Sequence, residues 1–169
     1  MTEAGDAIDV ATEQWASTWP TLDASPGEVL ARIQRLGQLI EDRQNQRLRR
    51  RPGLPIRNLG DFDVLRALRR SGSPFALTPG EIARAMLVSA AGLTGRIHRL
   101  QSDGWITREP SSSDGRSTLV KLTEEGLRDL DAGLPEHYAF ESGLLHALDE
   151  QKREQLALLL RQLTVELEP

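Results

Sequence analysis

Residues 78 to 123, TPGEIARAMLVSAAGLTGRIHRLQSDGWITREPSSSDGRSTLVKLT, constrain this chain more than any other stretch. Thr78-Pro79-Gly80-Glu81 has the form of a helix start: a hydroxyl to cap, proline at the first helical position, and a glutamate that reaches back. Ile82, Ala83 and Met86 then form the inner face of a short amphipathic helix. A break at Val88-Ser89 follows. Ser89 is placed to cap a second helix running to about Ser102, with Leu93, Ile97 and Leu100 pointing inward and Gly104 ending it. Trp105 to Glu109 and Thr118 to Leu122 alternate as a half-buried hairpin should, joined by a polar loop that carries Asp114-Gly115-Arg116. A helix-turn-helix with an Arg-tipped hairpin fits duplex DNA, the helix entering the major groove and the hairpin an adjoining groove.

The net charge of -4 over 169 residues is unevenly distributed. Residues 43 to 121 hold 15 Lys/Arg against 6 Asp/Glu, a local +9, whereas residues 1 to 42 carry -6 and residues 122 to 169 carry -7. A basic middle between acidic ends is the electrostatic footprint of a DNA-facing module held in a non-binding frame. Other classes find little support. The chain has no cysteine, hence no disulfide, thiol nucleophile or cysteine redox switch. His98, His137 and His146 are scattered without ligand spacing, so no metal and no cofactor is expected. Ser111-Ser112-Ser113 lacks a partnering base, and no catalytic constellation is expected. No run of 18 apolar residues occurs and MTEAGDAIDV has no signal pattern, so a soluble cytoplasmic protein without membrane contact is expected.

The flanks read as helices. One covers about residues 7 to 18 with Trp15 and stops before Trp19-Pro20. Ser25-Pro26-Gly27-Glu28 starts a second, with Ser25 as cap, and Val29, Ile33, Leu36 and Ile40 at helical spacing carry it to about Arg50. Leu59 to Arg70 forms a third around Phe62, Leu65 and Leu68. Beyond Thr123, Leu127, Leu130, Leu134, Leu145 and Leu148 mark a helical region. Asp149 then caps a last helix with Leu156, Leu159, Leu160, Leu163 and Leu167 in one stripe. The expected fold is mainly α with a small β-hairpin wing: residues 1–58 as N-terminal helices, 59–123 as a winged helix-turn-helix, and 124–169 as C-terminal dimerisation helices. The C-terminal leucines exceed what so small a core can cover, which points to a homodimer.

At this point the residues resemble the MarR family of winged-helix regulators over nearly the whole chain. Phe62-Asp63-Val64-Leu65, Leu77-Thr78-Pro79, Gly92-Leu93-Thr94, Arg99-Leu100, Gly104-Trp105-Ile106, Asp114-Gly115-Arg116-Ser117 and Leu119-Val120-Lys121-Leu122-Thr123 fall in the family's order and spacing. The front of the chain, Gln14-Trp15, Pro20-Thr21-Leu22-Asp23 and Ser25-Pro26, is similar to the added N-terminal helix of the urate-responsive branch. That resemblance implies effector binding by Trp15, Asp63, Arg96 and Arg108. It implies DNA contact by Ser89, Thr94, Gly95, His98, Arg99, Asp114 and Arg116, the last inserted in a minor groove. Ala90 and Gly95 stand where relatives often carry serine and asparagine. Gly115 and Ser117 stand where arginine and glycine are frequent, so backbone contact and DNA shape gain weight.

The implied site is chemically coherent. Urate is a flat anion with ring N–H donors and carbonyl acceptors. Arginine offers charge and a planar donor fork, aspartate accepts N–H bonds, and tryptophan supplies a wall or an indole donor. Each residue also has a plainer use: Trp15 as a packing anchor, Asp63 with Arg96 as an ion pair, Arg108 as a phosphate contact. The function implied is a repressor released from a double-stranded, pseudo-palindromic operator by urate or a related purine. Two alternatives stand beside it: a regulator answering another small aromatic anion such as a phenolic acid, and a constitutive DNA-binding or architectural module without a ligand.

Overall fold

The computed structural model describes residues 5–50, 56–87, 90–110 and 118–168. It divides into two compact units, Met1–Phe62 and Asp63–Pro169.

In the first unit, α1 spans Ala7–Thr18 and α2 spans Ser25–Arg49. Asp6 opens α1 with a reciprocal cap, accepting from the Ile8 and Asp9 N–H groups while its own N–H donates to the Asp9 carboxylate. Arg32 of α2 reaches back to Asp6 at 2.9 Å and also to Asp9, which staples the two helices together. The start of α2 differs from expectation by one residue. Ala24 is the cap and Ser25 already helical, because Asp23, not Ser25, takes the first free amide, accepting the Ser25 N–H at 3.0 Å. At its far end α2 buries Gln44 and Leu48, and Asn45 accepts the N–H of Leu59. That bond sets the start of α3, Leu59–Arg70, where Asn58 caps by accepting the Asp61 N–H at 2.9 Å.

The second unit holds most of the core. Val64, Leu65 and Leu68 of α3 are fully buried, as are Ile82 of α4 (Pro79–Ala85), Leu100 of α5 (Leu93–Ser102) and Leu130 of α6 (Glu124–Leu144). Each such burial contributes about 1.5–3 kcal/mol, which is why these helices form despite their modest lengths. The sheet has three antiparallel strands in the order β1-β3-β2, with β1 at Ala76–Leu77, β2 at Ile106–Pro110 and β3 at Thr118–Leu122. Ile106 faces Leu122 and Leu77 faces Val120 across it. The expected hairpin is therefore present, with an added third strand that sequence alternation did not signal.

Thr123 caps α6 and Asp149 caps α7, Glu150–Leu167. The buried stripe of α6 is Gly126, Leu130, Gly133 and His137, whereas Leu127 and Leu134 are half-buried and Leu145 is exposed. Helix α7 buries nothing: Leu159, Leu160, Leu163 and Leu167 are all exposed, and Leu156 half-exposed. Among the described residues no helix is long and apolar enough to cross a membrane.

Candidate nucleic-acid interface and effector residues

The helix-turn-helix begins as its sequence predicts. Thr78 and Glu81 cap α4 reciprocally, Glu81 accepting the Thr78 N–H at 2.8 Å and the Thr78 hydroxyl accepting the Glu81 N–H. The Thr78 N–H, then its hydroxyl, holds the Glu81 carboxyl below its ordinary value of 4.5. Ile82 is fully buried, and Ala83 and Met86 are half-buried.

The reading helix corrects the expectation. It runs from Leu93, not from Ser89, because Gly92 sits in the left-handed region (φ 73), which a continuing α-helix does not admit, and the Leu93 N–H bonds back to Ala90 in a turn. Ser89 lies outside the described residues, as do Asp114 and Arg116 in the wing loop. With Gly92 as cap and no side chain bonding the first amides, the N-terminal turn presents N–H donors suited to a phosphate. Along α5 the inner side carries Ile97 and Leu100, both buried, while Thr94, Gly95 and His98 form an exposed strip. Arg99 is half-buried and its guanidinium lies across Gly95, where a side-chain carbon would stand 3.6 Å from Nη1.

At its other end α5 closes on Gly104 (φ 82). The Gly104 N–H donates to Gln101 and the Trp105 N–H to Leu100, so two otherwise free carbonyls are satisfied within the turn. Trp105 is buried and leads directly into β2.

The four expected effector residues have very different surroundings. Asp63 on α3 is fully buried. Its carboxylate accepts the Leu87 N–H at 2.6 Å and pairs with Arg66 at 3.2 Å. Arg66 extends to Glu141 of α6 at 3.5 Å, and Glu141 meets His137 at 3.0 Å. Sequence reading named Asp63 but missed Arg66, Glu141 and His137; the spacings Asp63/Arg66 and His137/Glu141 are visible as local helix pairs, but the link between the two pairs is not. Arg96 is half-buried on α5, and Arg108 is exposed on β2 opposite Val120. Trp15, about half exposed, lines a cavity of about 520 Å³ between α1 and the start of α2, along with Ile8, Ala11, Leu22, Asp23 and Glu28. Among the described residues no cluster of His, Asp and Glu is placed to hold a metal ion.

A family model described as MarR family matches residues 53–117. Over 148 residues the chain is 34% identical to the HTH-type transcriptional regulator PecS of Dickeya dadantii (strain 3937), covering 88% of this chain and 87% of that one. The chain belongs to the MarR family. Two MarR-family structures are similar to it at 26% identity. Sco3205 of Streptomyces coelicolor, solved in complex with DNA, has a TM-score of 0.74 and covers 88% of this chain and 91% of its own. A MarR mutant from E. coli, solved with operator DNA, has a TM-score of 0.68 and covers 85% and 99%. The winged helix-turn-helix described above is thus that of a MarR-family DNA-binding transcriptional regulator.

Proposed function

We propose that this MarR-family regulator is an effector-released repressor that binds a pseudo-palindromic operator as a homodimer, with urate or a closely related purine as effector. Trp15, Asp63, Arg96 and Arg108 are the effector residues. Thr94, Gly95, His98 and Arg99 face the groove, Ser89 and the N-terminal turn of the reading helix hold a phosphate, and Arg116, braced by Asp114, enters the minor groove. The observation that carries this reading is the buried bond from the Leu87 N–H to Asp63. It ties an acid assigned to the effector to the segment that leads from α4 into the reading helix. An effector that changes what Asp63 bonds, or draws Arg96 toward it, shifts the pose of α5. A coupling of about 1–3 kcal/mol lowers DNA affinity about 5–150-fold.

Self-association is supported by apolar residues exposed in each unit, Val29 and Leu36 on α2 and Leu158, Leu159 and Leu163 on α7. A C2 dimer presents two reading helices to successive turns of the duplex.

The test is a gel-shift titration with urate on the DNA upstream of the protein's own gene. Release of the duplex supports the reading, and unchanged binding at millimolar urate rules out this effector class. Arg116→Ala is expected to weaken binding to operator and unrelated DNA alike, as removal of a backbone or shape contact should. Exposure of a second indole, Trp19, whose N–H donates to Thr21 at 3.1 Å, favours a variant of this reading with a different small aromatic anion. Thermal-shift measurements across purines and phenolic acids separate the two.

A further inference from the structure

The positive charge of this chain is centred outside the winged helix. Residues 43 to 58, QNQRLRRRPGLPIRN preceded by Arg43, contain six arginines and no acidic residue. Residues 59 to 121 contain nine Lys/Arg and six Asp/Glu. The segment ahead of the helix-turn-helix thus carries a local +6, against +3 for the winged helix itself.

The last two turns of α2 and its cap, residues 43 to 50, hold four of the six arginines. Arg43 and Arg50 stand seven residues apart, hence on one face and about 10 Å apart along the axis. Arg49 flanks them, and all three are exposed. Gln44 and Leu48 occupy a different face and are buried, so packing does not require the arginines. Arginines that hold the fold are visibly engaged: Arg32 with Asp6, Arg66 with Asp63, Arg69 with Asp131, and Arg153 with the Leu148 carbonyl. The side chains of Arg43, Arg49 and Arg50 make no hydrogen bond or ion pair with any described residue. Complementing the negative C-terminal end of the helix explains Arg49 and Arg50, but that effect fades within the last turn and does not reach Arg43.

We propose that Arg43, Arg49 and Arg50 form a second contact to the DNA phosphate backbone, made by α2 in addition to the reading helix and wing. Duplex DNA is the occupant that the charge fits: a polyanion whose counterions are released as each guanidinium takes a phosphate. Such a contact carries no base information, so it strengthens operator and unrelated DNA equally and fixes how the protein sits on the duplex.

The full-length protein and two triple variants test this, one with Arg43, Arg49 and Arg50 changed to Gln and one with all three changed to Lys. Fluorescence anisotropy is measured over a salt series on the upstream duplex and on a mixed-sequence duplex of equal length. The Gln variant should bind both about tenfold or more weakly at low salt. Its slope of log affinity against log salt should be shallower by about 2–3 for each protomer bound, since each lost phosphate contact contributes about 0.9. The Lys variant should keep the slope. Each single change to Gln should remove about one contact, which preserves the test if the triple variant does not fold. An unchanged slope overturns the proposal. So does a Gln variant whose only defect, by sedimentation, is altered self-association, because the arginines would then be serving the acidic ends of a second copy.

Discussion

Asp63 on α3 accepts the backbone N–H of Leu87, 24 residues later, at 2.6 Å, and does so with no solvent exposure. The bond fixes the exit of α4, and with Arg66 it leaves the acid both hydrogen-bonded and paired. Asp63→Ala strands the Leu87 amide in the core and leaves Arg66 to its longer pair with Glu141, and a stability loss of about 3 kcal/mol is expected. Urea unfolding measures it. A loss below about 1 kcal/mol would show that the acid does not hold the turn.

Two glycines should respond oppositely to the same substitution. A side-chain carbon on Gly126 would lie 2.5 Å from the Trp105 carbonyl oxygen, inside any tolerable contact. Gly126→Ala should destabilise by about 1–3 kcal/mol through overpacking. Gly37, within α2, has nothing within 4 Å, so Gly37→Ala should stabilise by about 0.5–1 kcal/mol. Thermal melts of the two variants decide both, and equal shifts of the same sign would contradict the packing described.

Acid should loosen α4 through its cap. The Glu81 carboxyl is held below 4.5 by the Thr78 N–H and hydroxyl, so its contribution is present above that value and is lost as pH falls through the lower, folded-state value. In Glu81→Gln that dependence is absent. Stability followed from about pH 6 to about pH 3 should fall more steeply for the wild type. Parallel curves would show that the cap does not titrate as described.

Self-association should depend on the α7 stripe. Leu160→Glu and Leu163→Glu each place a charge on an apolar surface that the single chain leaves uncovered. Each should raise the dimer dissociation constant at least about tenfold, equivalent to about 1.4 kcal/mol. Sedimentation equilibrium reads this directly, and a wild type that stays monomeric at high concentration would refute the dimer.

Most helices were legible because their signals are local. Caps at Thr78 and Asp149, the stop before Trp19-Pro20, and the glycine at 104 all act within a few residues of the positions they set. Local signals also mislead by small steps. Asp23 displaced Ser25 from the cap of α2, and Gly92 delayed the reading helix to Leu93. Strand β1 escaped because two residues cannot show alternation; its pairing depends on β3, more than forty positions later. The leucines after Thr123 marked a helical region correctly, but they did not show which face of α6 is inner: Leu130 is buried together with Gly126, Gly133 and His137, and at Gly126 the Trp105 carbonyl leaves no space for a side chain. Arg66 stands three residues after Asp63 on a predicted helix and was a local signal passed over, whereas Leu87 and Glu141 join the group only once α3 has packed on α4 and α6.

The turn at Gly104 has a mechanical corollary. Because Leu100 and Gln101 bond straight into Gly104 and Trp105, and Trp105 is embedded in the core just before β2, nothing slack separates the reading helix from the first strand of the wing. A tilt of that helix must be passed to the hairpin as it would be through a bracket. If the helix and the hairpin grip the duplex as proposed, they engage or release together, and one displacement in the interior acts on both.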